Sequence, residues 1–396
     1  MLDVKTKPVE PQERWYTIED ERFQNAQITP KDNNWDFDGL RIVQRQYNTH
    51  FSHHYTAKFI PQIPQNIIKQ FKKSDNDIVF DPFLGSGTTI VEGKLQGHPS
   101  FGIEINPLAV KISKAKVTPV DFDLVDKFCK WLSDKRKEQE KPKNIELFKG
   151  SHLWFRDDVS YAIYNILQKI SDYDEDTKNF IEIGLSDHLK GASNAIMHST
   201  IPTLPDKDVY IDRKHYFRAV NNKTRRIDLY GRVLMQILRM KYALRYLLIR
   251  SENVIAEPIL GDSRKLCNHL SKFDVNKVNI TVTSPPYWNA QNYQKLHFLS
   301  FQTFNLKEPK FDEIGRDKKS YLEDMGKIIE QLSQVCKGHF AFVIGEDTNG
   351  NEFHKKLYDL IVMNDFDPVK NIRREISNQV GFTKSIPHEW IFIFKK

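Results

Sequence analysis

The chain has 396 residues, 39% of them hydrophobic and 28% charged, with 59 Lys and Arg against 52 Asp and Glu for a net charge of +7. That balance fits a soluble globular protein with a real core and room for two or three domains. No run approaches the roughly 18 apolar residues that a membrane span needs, and Cys129, Cys267 and Cys336 have neither disulfide nor zinc spacing. A membrane protein, a disulfide scaffold and a structural zinc site are therefore excluded as expectations, and a reducing cytoplasm is expected. The positive charge permits a polyanionic partner without requiring one.

Residues 1–37 are polar, lack a clear period and carry early prolines, so they read as an irregular arm without the apolar core of a signal peptide. In the next stretch His50, His53 and His54 lie close together. No cysteine or paired carboxylate accompanies them, so no metal is assigned. Ile63, Ile67, Ile68 and Phe71 then fall at helical spacing, with Pro64 acceptable in a first turn.

From Asp77 to Lys116 a pattern with chemistry in it appears. Ile78, Val79 and Phe80 read as a buried strand, Asp81 to Gly87 as a turn with two glycines, and Thr88 to Gln96 as a helix. Ser100 to Ile103 is a second strand ending at Glu104, and Pro107 to Lys116 a second helix. Strand, glycine turn, helix, strand and acid is the layout of a nucleotide-type site in a parallel sheet. Gly85 and Gly87 let backbone approach a ligand. Glu104 stands where a ribose would present its hydroxyls. A phosphate-loop reading fails because no Lys-Ser/Thr follows the glycines, and a dinucleotide reading lacks the third glycine.

Residues 118–253 break the alternation of strand and helix and read as a mostly helical insertion. Within it Arg213, Lys214, Arg218, Lys223, Arg225 and Arg226 interleave with Tyr210, Tyr216 and Phe217. Cations with stacking rings suit nucleic acid, and a solvated loop over a helical core explains the same residues. The α/β rhythm returns at 254, with a polar turn at Gly261-Asp262-Ser263. Strand 278–282 leads into Thr283-Ser284-Pro285-Pro286-Tyr287-Trp288. Two prolines fix φ, remove N–H donors and push the preceding residues to extended geometry. The loop is stiff, its carbonyls are free of local turn bonds, and an aromatic ring stands beside it. Such a socket can accept hydrogen bonds from a flat amino-bearing ring. Further helices and strands follow, with 371–380 and 389–396 as the last two strands.

At this point Asp81-Pro82-Phe83-Leu84-Gly85-Ser86-Gly87-Thr88-Thr89 resembles the S-adenosylmethionine loop of the amino-group DNA methyltransferases, and Thr283-Ser284-Pro285-Pro286-Tyr287 resembles their catalytic loop. The resemblance covers most of 50–116 and 254–396. It implies an α/β fold with a doubly wound, mostly parallel seven-stranded sheet and a large helical insertion. It implies an arm at 1–37, a catalytic domain at 38–117 and 254–396, and 118–253 as candidate target-recognition domain. S-adenosylmethionine is the implied cofactor, held by Phe59, Asp81, Phe83, Gly85, Gly87, Thr88, Glu104 and Asp262. Ser284, Pro285, Pro286 and Tyr287 are the implied catalytic residues, acting on the amino group of a base flipped from double-stranded DNA. Arg213, Lys214, Arg218, Arg225 and Arg226 are candidate DNA contacts. A serine before the two prolines favours cytosine N4 over adenine N6. A cognate restriction endonuclease is an expected companion. C5-methylation of cytosine is rejected because no cysteine follows a proline. An RNA or protein-glutamine methyltransferase and a non-catalytic nucleic-acid-binding module are the alternatives.

Overall fold

The computed structural model describes residues 35, 37, 40–55, 58–138, 141–196, 199–204, 227–286, 293–307, 317–346, 353–375 and 388–396. Its centre is a seven-stranded sheet in the order β3-β2-β1-β4-β5-β7-β6. The strands are β1 Val79–Asp81, β2 Ser100–Glu104, β3 Ala256–Leu260, β4 Val278–Thr283, β5 Cys336–Gly345, β6 Asp367–Glu375 and β7 His388–Lys395. β1 through β5 pair in parallel, whereas β7 runs antiparallel to both β5 and β6. The fold is the expected α/β type, a mostly parallel sheet of seven strands with many helices. Cys336 opens β5, where it pairs with Val278 at the buried start of the strand.

Period two along the strands sorts side chains between the faces. Phe340, Phe342, Phe392 and Phe394 join one core, whereas Ala341, Val343, Ile391 and Ile393 join another. The first face packs on Tyr321, Met325, Ile328 and Leu332 from the helix Lys318–Val335 and on Leu357 and Ile361 from Phe353–Val362. The opposite face packs on α1, Gln62–Phe71, through Ile63, Ile67 and Ile68. Helices therefore cover both faces, as a parallel sheet requires.

After β1 come α2, Thr88–Leu95, and α3, Pro107–Val117. The sequence between α3 and β3 forms α4 Phe122–Lys135, α5 Asp157–Lys169, α6 Glu175–Ala192 and α7 Leu229–Ser251. Asp121, Asp174 and Asp228 cap α4, α6 and α7 by accepting backbone N–H groups in the first turn. Val233, Ile237, Met240, Leu244 and Leu247 make the buried stripe of α7 at helical spacing. That stripe shares one apolar cluster with Ile90 and Val91 of α2 and with Leu108 and Ile112 of α3. The helices of 118–253 thus lie against the helices of the sheet and share their core. No helix among the described residues is long and apolar enough to cross a membrane.

Strand order reverses direction at β1. β2 lies on one side of it and β4 on the other. In a parallel sheet the crevice outside the carboxyl ends of such a strand pair is where ligands bind. The two loops singled out in the sequence, 82–87 and 284–286, leave β1 and β4 at that place.

Candidate active site

The cofactor-type loop is held from behind by side chains. Ser113 Oγ donates to the Gly85 carbonyl at 3.1 Å, and Lys116 Nζ donates to the Ser86 carbonyl at 2.6 Å. These two residues stand three apart on α3, hence on one face of the helix. Lys116 is fully buried, and burial together with the charge of Lys58 lowers its ammonium well below the usual range. A trans peptide points its N–H opposite its carbonyl. Holding the Gly85 carbonyl against α3 therefore aims the Ser86 N–H at the other side of the loop. Gly87 has φ +84°, and a Cβ there would meet Ser113 Oγ at 2.8 Å, so glycine is required twice over. Gly85 has φ +52° with open space at its Cα, its nearest neighbour being the Tyr55 ring at 4.0 Å. That opening leaves room for a ligand against the backbone.

Glu104 closes the loop from β2. One carboxylate oxygen accepts from the Gly85 N–H and the other from the Asn106 N–H, each at 2.8 Å. Burial pushes its carboxyl up to about 7, against the opposing pull of these donors. Each carboxylate oxygen has lone pairs beyond the one used here, which fits a ligand that offers hydroxyls. Ser86 Oγ is buried without a hydrogen-bond partner, a second polar group left for a ligand. On these two observations the residues fit a nucleoside-bearing cofactor.

Asp81 is fully buried, and its carboxylate joins the two loops. Thr283 Oγ donates to one oxygen at 2.6 Å, and the Phe83 N–H donates to the same oxygen at 3.0 Å. Thr89 Oγ donates to the other oxygen at 2.7 Å and lies 3.1 Å from the Val282 carbonyl. Burial still pushes the Asp81 carboxyl up to about 6, against the lowering by these three donors. The carboxylate is therefore committed to protein donors and acts as a clasp between the end of β1 and the end of β4. Ser284 and Pro286 are half-buried and Pro285 is buried.

The remaining sequence candidates are distributed as follows. Asp262 is buried and ion-paired to Arg264 at 2.9 Å, and Arg264 also reaches Asp324 at 3.0 Å. The neighbouring Ser263 hydroxyl donates to the Pro82 carbonyl, so this turn touches the cofactor-type loop. Phe83 packs half-buried against the aromatic side of the sheet core, and Phe59 packs half-buried on the opposite core. Thr88 is buried at the start of α2. Tyr287, Arg213, Lys214, Arg218, Arg225 and Arg226 lie outside the described residues. The three adjacent histidines have separate partners. His50 lies 2.7 Å from Glu92, His53 3.0 Å from Ser186 Oγ, and His54 2.8 Å from Asp187.

Sequence reasoning passed over Thr283, Thr89, Ser113 and Lys116. Lys116 had a visible signal, a lysine beside Ile112, Ala115 and Val117 on an otherwise buried helix. Tyr55 gave none. Its ring stacks on His297 with centroids 5.1 Å apart, and those residues are brought together only by the fold.

Comparison with known proteins follows the same lines. The family described as DNA methylase, of the N6/N4 type, matches residues 3–115. Type II methyltransferase M.MvaI of Kocuria varians is 26% identical over 329 residues, covering 76% of this chain and 68% of the relative. Type II methyltransferase M.MjaII of Methanocaldococcus jannaschii is 24% identical over 431 residues, covering 88% of this chain and 77% of the relative. Among solved structures, the rRNA methyltransferase aviRa of Streptomyces viridochromogenes aligns with a TM-score of 0.34 at 7% identity, over 86% of each chain. The DNA methylase match lies over the cofactor-type loop and the type II relatives span most of the chain, so this protein is similar to the amino-group DNA methyltransferases.

Proposed function

We propose that this protein methylates the exocyclic N4 of cytosine in duplex DNA as the modification enzyme of a restriction–modification system. The observation that carries the reading is the Asp81 clasp. One buried carboxylate ties the loop suited to a nucleoside cofactor to the strand end that carries Thr283-Ser284-Pro285-Pro286. Two substrates bound at these loops would meet over one crevice. The type II relatives support the restriction–modification context. In that context a nuclease acting on the same site is the expected companion.

S-adenosylmethionine, when bound, supplies an electrophilic methyl group on a sulfonium. Gly85 and Gly87 would bring backbone against it, Glu104 would accept its ribose hydroxyls, and Asp262 and Thr88 would border it. Phe59 and Phe83 would pack on its apolar parts. A base amino nitrogen is a poor nucleophile because its lone pair is delocalised into the ring. Ser284 and the Pro285 carbonyl would accept the amino protons and favour pyramidal nitrogen, while Pro286 keeps the loop stiff. Tyr287 would stack on the base, a contact worth about 1–3 kcal/mol. The amino nitrogen would gain the methyl as the carbon–sulfur bond breaks to leave a neutral thioether, and would release one proton to solvent, with positioning and electrostatics providing the acceleration. Extruding the base costs about a few kcal/mol.

Labelled methyl transfer to duplex DNA, RNA and protein in parallel tests the substrate class, with incorporation expected in DNA. Label in RNA or protein alone refutes the reading. Nucleoside mass analysis of the product should show N4-methylcytosine; N6-methyladenine would reassign the base. Ser284→Ala should keep cofactor affinity and reduce transfer by roughly 100-fold or more. Equal loss of both would make the loop structural.

A further inference from the structure

A second polar cleft lies a few side chains from the crevice. It has a volume of about 440 Å³ and is lined by His188, Asp228, Gly231, Arg232, Met235, Gln236 and Arg239. α6 and α7 supply its walls. It is connected to the crevice through contacts already fixed in the fold. Tyr55, next to Gly85, stacks on His297. His53 bonds Ser186, and Ser186 bonds Ser300 on the short helix Phe298–Thr303 that follows the catalytic loop. His54 bonds Asp187, the residue before His188.

Two nitrogens of this cleft are buried without a partner. Arg239 Nε and His188 Nε2 are buried and have no hydrogen-bond partner. The Arg239 guanidinium carbon sits 4.4 Å from the Phe51 ring centre. Stacking of this kind holds the flat group in place and leaves its donor edge free for a fork-shaped acceptor. Arg232 is exposed and donates to the Gly191 carbonyl at 3.2 Å. Neither arginine forms an ion pair with a carboxylate among the described residues. The carboxylates nearby are engaged elsewhere. Asp187 is paired with His54, and Asp228 holds Arg136 Nε at 2.5 Å and the Gly231 N–H at 2.8 Å. Gln236 is spent on the Ser52 carbonyl at 3.0 Å. The His54 side chain, 79% exposed, stands close enough to Arg239 for its titration to feel that charge.

We propose that the cleft between α6 and α7 is a docking site for backbone phosphate of the DNA strand that carries the extruded base, gripped by Arg239 and Arg232 beside His188. The inference rests on the reading of the chain as a DNA methyltransferase and adds the surface that positions the duplex. Phosphate contacts fix register and orientation and carry no sequence information. A contact there would hold the flanking strand while the base leaves its stack.

The test is the salt dependence of binding of the full-length protein to a fluorescein-labelled duplex of mixed sequence, read by anisotropy. Each lost phosphate contact should make the slope of log affinity against log salt shallower by about 0.9. Arg232→Ala with Arg239→Gln should therefore reduce it by about 1.8, with cofactor affinity unchanged. Arg239→Lys should keep most of the slope because it keeps the charge. Arg232→Glu, an exposed change that spares the core, should weaken binding further than Arg232→Ala. A wild-type slope in the double variant and in Arg232→Glu, with wild-type DNA methylation, overturns the cleft and leaves the enzyme reading intact. Absence of any DNA binding or methylation by the wild-type protein overturns the enzyme reading itself.

Discussion

Glu104 shows how one residue can set a condition on cofactor binding. Its carboxyl is raised to about 7 by burial. Near neutral pH a sizeable fraction of the free protein therefore carries a proton there. In the proposed role of accepting ribose hydroxyls Glu104 would have to be ionised, so the complex would bind fewer protons than the free protein. Affinity for S-adenosylmethionine should accordingly rise as pH passes upward through about 7, by at most about tenfold per pH unit for a single proton. Calorimetric titration at several pH values measures this. Glu104→Gln should bind more weakly with a flat profile, and an unchanged slope in that variant would assign the titration to another group.

Between elements, the decisive link is the hydrogen bond from Thr283 to Asp81. It joins β4 to β1 beyond the last paired residues and fixes where the Ser284 loop starts. Thr283→Val keeps the shape and removes the donor, leaving one Asp81 oxygen with only the Phe83 N–H. A hydrogen bond to a buried charged group contributes roughly 1.5–3 kcal/mol, so the urea midpoint should fall by a corresponding amount. Turnover should fall by at least roughly tenfold, because misplacement of the proposed catalytic loop costs rate steeply. A variant with wild-type midpoint and turnover would remove the clasp from both folding and catalysis. Ser113 and Lys116 do comparable work from α3, holding two successive carbonyls so that the glycine loop presents its other side.

At the level of the whole molecule, 118–253 is bound into the protein by its core. Leu108 and Ile112 of α3 share a cluster with Phe180 and Leu185 of α6 and with Ile237 and Leu244 of α7. Excising 118–253 and rejoining the ends should therefore expose the outer face of α3 and give an aggregating, dye-binding product. A soluble sheet domain with cooperative unfolding would instead make the segment an independent domain. Target recognition by this segment would then be carried by a layer of the catalytic body, adjacent to the α6–α7 cleft.

Much was determined by the sequence alone, because it is local. Strands β1 and β2, the Gly85–Gly87 turn, helices α2 and α3 and the Ser-Pro-Pro loop each follow from neighbours within a few residues, through alternation, glycine φ and proline constraint. The two loops together made one crevice readable, since both end parallel strands. What tertiary structure decided is everything that depends on residues far apart meeting. Asp81 meets Thr283 two hundred positions away, and that pairing makes its carboxylate a clasp between the two strand ends. Glu104 acquires its raised carboxyl only once buried, and Arg239 becomes an unpaired donor only once Phe51 lies beneath it. Burial and long-range pairing carry no periodicity, and for that reason no reading of the chain in order could have found them.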